Sequence, residues 1–505
     1  MNRPYLALTP LLLLALAARA EDSTRPFVIT VVDDQTGRGV PLVELITVNQ
    51  IHFVTDSAGV VTFDEPGLMN QRVFFSVASH GYEFAKDGFG MRGVALNVKP
   101  GGEATLKIKR LNIAQRLYRT TGGGIYRDTV LAGRKPPIEE GVLNAEVFGQ
   151  DSVQRAIYHG QIHWFWGDTN RPSYPLGHFG MSGAVSDLPD RGGLDPSVGV
   201  NLKYFTDATG FARPMVPGKD LRWIDGLMVL KDPDGKERLV AKCEVLKSLS
   251  QPYGRKLIVY NDDKNAFDDL LTLARDEPLC PQGHPVRYTD GGVEYVYFPA
   301  PYAMLRVKAD WNSIQIPAEY EGFTCLVPGA RYERDKTQLD RDAAGKLVYG
   351  WKKNTPPLSD NQEAALMKSG ALKSDEVWNN PIDVETKATV RLHAGTVNWN
   401  PFRKKWVMIA VQHYGKPSFL GEVWFTESDH PNGPFLRARR IVTHDRYSFY
   451  NPAHHPFFDQ ENGRIIYFEG TYTNTFSGND HPTPRYDYNQ IMYRLDLSDP
   501  RLKLE

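Results

Sequence analysis

Two carboxylates bracket one hairpin-like stretch of this chain. In QDSVQRAIYHGQIHWFWGDTNRPSYP, Gln150 to Pro175, Asp151 precedes a run in which Val153, Arg155 and Ile157 alternate with Gln154 and Ala156. Asp168 follows an apolar and aromatic run from Ile162 to Trp166, and His159-Gly160 supplies the turn between them. Antiparallel pairing returns the closing acid to the neighbourhood of the opening one. Two acids at one end of a hairpin make a catalytic rim, suited to general acid/base chemistry.

The same layout recurs four more times, and internal repetition is the strongest signal a single sequence carries. WIDGLMVLKDPDGKERLVAKCEVLK opens on Asp225, turns at Asp234-Gly235 and closes on Glu244. GHPVRYTDGGVEYVYFPAPY opens on His284 and turns at Asp290-Gly291-Gly292. The fourth copy opens on His393, turns at Asn400-Pro401 and closes near Gln412-His413; the fifth opens on His454-His455, turns at Asn462-Gly463 and closes on Glu469. Hairpin-plus-outer-strand units of this size are the blades of a β-propeller, whose inner strands converge on an axis. Five copies predict five blades over 146–505, with Asp151, Asp225, His284, His393 and His455 ringing the axis.

The elements around these repeats are also legible. Residues 27–110 alternate in short strands divided by Thr36-Gly37, Ser57-Ala58-Gly59 and Pro100-Gly101-Gly102 turns, which predicts a β-sandwich. Residues 111–145, rich in Gly and Pro, are expected to be a surface connector. An insertion at about 315–389 carries a strand pair around LDRDAAGKLVYGWKKNT and a helix starting at the N-cap pair Ser359-Asp360. The N-terminus, MNRPYLALTPLLLLALAARA, has the n-region, apolar stretch and A-x-A site of a signal peptide, with cleavage expected after Ala20, giving a secreted or periplasmic protein. No stretch is long enough to span a membrane as a helix. The formal net charge of −1 gives no electrostatic case for nucleic acid. Three cysteines, Cys243, Cys280 and Cys325, allow at most one disulfide.

Each candidate residue has a chemical reason. Asp151 and Asp225 occupy equivalent repeat positions, where a carboxylate is costly unless paired, hydrated or functional. Asp168 stands between strand aromatics and a loop with Arg171 and Tyr174. Trp164, Trp166, Trp223, Arg171 and Tyr174 suit the flat apolar faces and hydroxyl edges of sugar rings. Glu244 and Glu469 close apolar strands, and Glu321 lies on the insertion; each is a candidate general acid with a raised pKa. His284, His393 and His455 are candidates for binding substrate hydroxyls. No HExxH or comparable spacing occurs, so no catalytic metal or other cofactor is expected, while a structural Ca²⁺ stays open. A Gly-rich phosphate loop, a G-x-S-x-G elbow and a Cys–His nucleophile pattern are all lacking in the sequence.

Two resemblances follow from these motifs. Val32 to Gly37 and Thr55 to Phe63 are similar to the V-x-D-x-x-T-G and T-D-x-x-G-x-x-x-F marks of carboxypeptidase-regulatory-like, transthyretin-like domains, which implies an accessory module. Residues 142–500, with acids opening the first two repeats and a strand ending Phe165-Trp166-Gly167-Asp168-Thr169, resemble five-bladed β-propeller glycoside hydrolases of family 43 and the domain of unknown function 4185. The resemblance implies an Asp base at Asp151 and an Asp that tunes pKa at Asp225. The family's Glu acid is replaced by His284 at the third repeat, leaving Glu244, Glu321 or Glu469. The expected function is a secreted glycosidase acting on plant- or algal-type polysaccharide or its oligosaccharides. A non-catalytic carbohydrate- or protein-binding propeller is the alternative, and a polysaccharide lyase the third.

Overall fold

The computed structural model describes residues 25–178, 180–248 and 251–505; the expected signal peptide lies outside them. The chain divides into two compact units, one holding the residues up to 111 together with 124–142, the other 112–123 together with 143–505.

The first unit is a β-sandwich of two four-stranded sheets. One contains Phe27–Asp33, Val60–Phe63, Glu103–Arg110 and Tyr82–Glu83; the other contains Glu44–Thr47, His52–Val54, Arg72–Ala78 and Gly93–Asn97. Alternating side chains such as Ile29, Val31, Leu45, Phe75 and Ile108 fill the space between them. The two sequence marks are turn devices. The Asp33 carboxylate accepts the backbone N–H groups of Gln35 and Thr36, and Asp56 accepts those of Ala58 and Val60 with one oxygen and that of Thr129 with the other. Gly59 is required here: its φ is +75°, and a Cβ would stand 2.5 Å from the Val31 carbonyl oxygen.

The second unit is a five-bladed β-propeller. The first blade is Gln154–Tyr158, Gln161–Trp166, Ser182–Ser186 and Lys203–Tyr204; the second is Leu221–Lys231, Glu237–Leu246, Pro252–Asn261 and Ala266–Leu273. The third blade begins with Val286–Asp290, Val293–Tyr297 and Leu305–Lys308, and takes Glu321–Thr324 and Gly350–Lys353 from the insertion as outer strands. Leu392–Asn400, Lys405–Gln412, Val423–Ser428 and Arg437–Val442 form the fourth, edged by the short parallel strand Ile382–Asp383. Ser448–His454, Ile465–Thr473 and Asn489–Asp496 form the fifth.

The ring is closed by the chain's own earlier strand. Gln115–Arg119 pairs antiparallel with Asn489–Asp496 and completes the fifth blade. The connector expected over 111–145 therefore contains a buried propeller strand. Its sequence hid it because Arg116 and Arg119, which read as surface residues, are each 1% exposed.

Apolar layers join each blade to the next, as radial packing demands. Phe165 and Met181 meet Ile224 and Ile258; Leu230 and Val240 meet Phe298 and Leu305; Val286 and Tyr288 pack on Val397 and Trp406; Val411 and Leu420 meet Tyr450. The fifth and first blades share Trp164, Trp166, Tyr467 and Met492. Trp164 and Trp166, expected to face a sugar, are instead fully buried and stacked at 6.1 Å, with the Trp164 indole N–H donating to Ser186 Oγ. Trp164→Ala is expected to destabilise the unit by about 3–5 kcal/mol, as large-to-small core changes do, and urea denaturation measures it.

Within the insertion, Ser359 caps the helix Asp360–Ser369 in a capping box with Gln362, and Cys325, Leu347, Leu366 and Leu372 form a small core. All three cysteines are buried and free.

Candidate active site

The carboxylates of the first blade meet as the hairpin geometry requires. Arg155 pairs with Trp164 and Gln154 with Phe165 in register, and the turn at His159-Gly160 has left-handed backbone at both residues. Beyond the last pair, Gly167 N–H donates to the Asp151 carbonyl at 2.7 Å, and the backbone N–H of Asp168 reaches the Asp151 carboxylate. Gly167 permits this approach, since a Cβ there would lie 2.0 Å from Asp151 Oδ1.

The fifth blade supplies the other walls. The Tyr450 hydroxyl donates to Asp151 Oδ2 at 2.7 Å, and the Tyr488 hydroxyl bonds the same carboxylate. Asn451 Nδ2 donates to Ser152 Oγ at 2.6 Å, and Ser152 N–H to Thr471 Oγ1 at 3.0 Å. Ser152, Asn451 and Tyr488 all have left-handed backbone, with φ of 52°, 50° and 60°. Such strain in non-glycine residues costs roughly 1–3 kcal/mol each and clusters at functional sites.

Asp168 is buried, and among the described residues the side chain that donates to it is Trp223, whose indole N–H lies 3.2 Å from Oδ1. Burial pushes the Asp168 carboxyl up to about 6; the neighbouring Asp151 charge adds to the rise and the Trp223 bond opposes it. Burial raises Asp151 as well, against the donors from Tyr450, Tyr488, the Asp168 backbone and Ser152. One acid thus has several donors to stabilise an anion and the other has one. That asymmetry separates a base or nucleophile, Asp151, from a proton donor, Asp168.

The remaining predicted acids are engaged elsewhere. Asp225 sits inside its strand at a bulge, where Oδ1 accepts the N–H groups of Gly226 and Gly283, and Oδ2 lies 3.1 Å from Lys242 Nζ. Glu244 faces Lys242 at 3.3 Å and Arg255 at 2.8 Å, and Glu321 faces Arg306 at 2.8 Å. Among the described residues, Asp151 and Asp225 share no hydrogen-bonding partner.

Near the propeller axis the predicted histidines separate. Arg155 Nη1 is 2.9 Å from His284 Nδ1, its Nε donates to His455 Nδ1 at 3.1 Å, and its Nη2 donates to the His454 carbonyl. His455 Nε2 lies 3.2 Å from Glu469 Oε1, both residues being fully buried. Burial raises Glu469 to about 7, with Thr120 and Arg155 opposing. Arg155 is part-buried and thus ties the third and fifth blades to the first through His284, His455 and the His454 carbonyl. His393 lies elsewhere, exposed, with its ring 4.9 Å from that of His413. Arg171 pairs with Glu146 at 3.0 Å and stacks on Phe211, and Tyr174 is exposed. Among the described residues no three His, Cys, Asp or Glu side chains converge in a way that could hold a metal ion.

Sequence reading missed Tyr450, Tyr488 and Arg155. Arg155 left a signal, a charge on an alternating inner strand; the tyrosines left none.

No protein-family model matches this chain, and no curated protein matches it at significance. Solved structures do overlay on it. An exo-β-1,3-galactanase from Phanerochaete chrysosporium, seen with galactose, is 9% identical, with 77% of this chain and 67% of the other covered and a TM-score of 0.37. An exo-1,5-α-L-arabinanase from a bovine ruminal metagenomic library is 10% identical, with 70% and 94% covered and a TM-score of 0.33. A glycoside hydrolase family 43 enzyme from Xanthomonas citri, complexed with xylose, is 11% identical, with 70% and 88% covered and a TM-score of 0.31.

Proposed function

We propose that the propeller is a glycoside hydrolase, similar to family 43 enzymes, whose working pair is Asp151 and Asp168. The observation that carries this reading is that the Asp168 backbone N–H bonds the Asp151 carboxylate, so two acids of unlike environment adjoin, framed by Tyr450, Tyr488 and Trp223. Asp168 protonates the leaving glycosidic oxygen. Asp151, oriented by the tyrosine hydroxyls, activates water or attacks the anomeric carbon. Asp225, held by Lys242 and the Gly283 N–H, stiffens the neighbouring blade edge and takes no proton in the reaction. Export by the N-terminal segment, a plant- or algal-type polysaccharide substrate, and an accessory role for a carboxypeptidase-regulatory-like sandwich complete the proposal.

Reducing-end release from a panel of plant and algal polysaccharides tests it, with ultraviolet absorbance of the products separating hydrolysis from elimination. Gly167→Ala tests the geometry. The added methyl group must displace the Asp151 carboxylate, and a shift of about 1 Å is expected to lower turnover by roughly 10². The displaced carboxylate also loosens its bonds to the Tyr450 and Tyr488 hydroxyls, so a lowered thermal midpoint should accompany the loss.

One observation favours a second reading. Glu244 and Glu321, the candidate acids on the second and third blades, are both neutralised by cations, as in a scaffold that binds saccharide without cleaving it. Saccharide binding with no release from any substrate in the panel would establish that reading.

A further inference from the structure

A polar crevice lined by none of the paired acids' own side chains lies at the third and fourth blades. Its volume is about 510 Å³, within the roughly 300–1,000 Å³ of small-ligand sites. The third and fourth blades and the start of the insertion helix enclose it. Leu279, Pro301, Met304, Pro357 and Leu392 give it apolar walls, while Arg391, His393, His413, Asp360, Tyr302 and Tyr414 supply the polar and aromatic lining.

Three features mark it as built for a ligand. First, among the described residues the side chains of Arg391, His393 and His413 and the Tyr302 hydroxyl have no hydrogen-bonding or ion-pairing partner, whereas Asp225, Glu244 and Glu321 all do. Polar side chains that converge on one cavity, open to solvent and not engaged by the protein, are available to a ligand. Second, Tyr414 has left-handed backbone with φ of 63° and is 55% exposed. Its ring stacks on His413 at 3.9 Å and meets Phe419 edge-on at 5.2 Å, which fixes an aromatic platform at the rim. Third, Arg391 and His413 both act on Asp360 electrostatically, so cation and carboxylate face the same space.

We propose that this crevice is a second saccharide-binding site, taking an uncharged sugar unit of the chain that the paired acids cleave. The inference rests on the carbohydrate reading above. Neighbouring hydroxyls of one sugar ring can bridge a guanidinium and a carboxylate, while its apolar face lies on Tyr414 and the proline and leucine wall. An acidic sugar would set its carboxylate against Asp360, which disfavours it. The insertion completes the site, since Asp360 and the Pro357 wall belong to it.

Isothermal titration of Asp151→Asn protein with xylotriose, β-1,3-galactotriose and trigalacturonate tests the proposal. One of the two neutral trisaccharides is expected to bind, and Arg391→Met and Tyr414→Ala are each expected to weaken it by about tenfold or more. Both side chains are exposed, so the thermal midpoint should hold in each variant. Failure of both neutral probes to bind, binding unchanged in both variants, or preference for trigalacturonate would overturn the site. Reducing-end release by the parent protein is read separately. No release beside Arg391-dependent binding overturns the hydrolase and keeps the site; release beside Arg391-independent binding does the reverse.

Discussion

Asp151→Asn is expected to lower reducing-end release by roughly 10²–10⁴, the range associated with a positioned acid or base. The substitution keeps the shape of the side chain and one accepting oxygen for the Tyr450 hydroxyl, and it removes the charge that a base or nucleophile needs. Burial opposes that charge while the amide NH2 loses one accepting position among its donors, so the thermal midpoint should move little beside the loss of activity. A large fall in both activity and midpoint would instead make Asp151 a structural residue. Circular dichroism melts beside the activity assay distinguish the two results.

The second large effect is on pH dependence. Burial and the Asp151 charge hold the Asp168 proton up to about 6. A raised carboxyl stays protonated to higher pH than an ordinary one, so a proton donor with this value works below about 6. Above it, kcat/KM should fall about tenfold per pH unit. Asp168→Asn should abolish this alkaline limb as well as most of the activity. Trp223→Phe removes the one hydrogen bond that lowers the Asp168 value, so it should shift the limb to higher pH. A profile in the parent that stays flat between pH 5 and 8 on the scale of about tenfold would remove Asp168 from the reaction.

Much of the fold was legible because its turns are chemically explicit. His159-Gly160, Asp234-Gly235 and Asn462-Gly463 each place a residue that tolerates left-handed backbone between two strand-forming runs, and Gly160, Gly235 and Gly463 have φ of 77°, 78° and 82°. The helix at Asp360 was legible from its Ser359 cap. The closing strand was hidden by its buried arginines, whose partners come from the far end of the chain.

The candidate site was legible only in its local half. Asp151 and Asp168 belong to one hairpin, so their proximity follows from a turn. Tyr450 and Tyr488 reach Asp151 from the fifth blade, a contact fixed by ring closure and by no local pattern. The roles of Asp225, Glu244 and Glu321 were obscured by strand register. Asp225 stands directly opposite Lys242, Glu244 opposite Arg255, and Arg306 opposite Glu321. Cross-strand ion pairs of this kind contribute roughly 0.2–1 kcal/mol, and a one-residue slip in register would have left each acid free. Trp164 and Trp166 misled for a related reason: an aromatic strand beside an acid suits a sugar platform and a blade interface equally, and burial decides between them.

The division of labour between the two acids is tested most directly with an aryl glycoside of the sugar that the parent releases, carrying a dinitrophenyl leaving group that departs without protonation. Asp168→Asn should then turn over within about tenfold of the parent, although it loses roughly 10²–10⁴ on the polysaccharide, while Asp151→Asn should be impaired on both substrates. Equal turnover by the parent and both variants on both substrates would contradict the account.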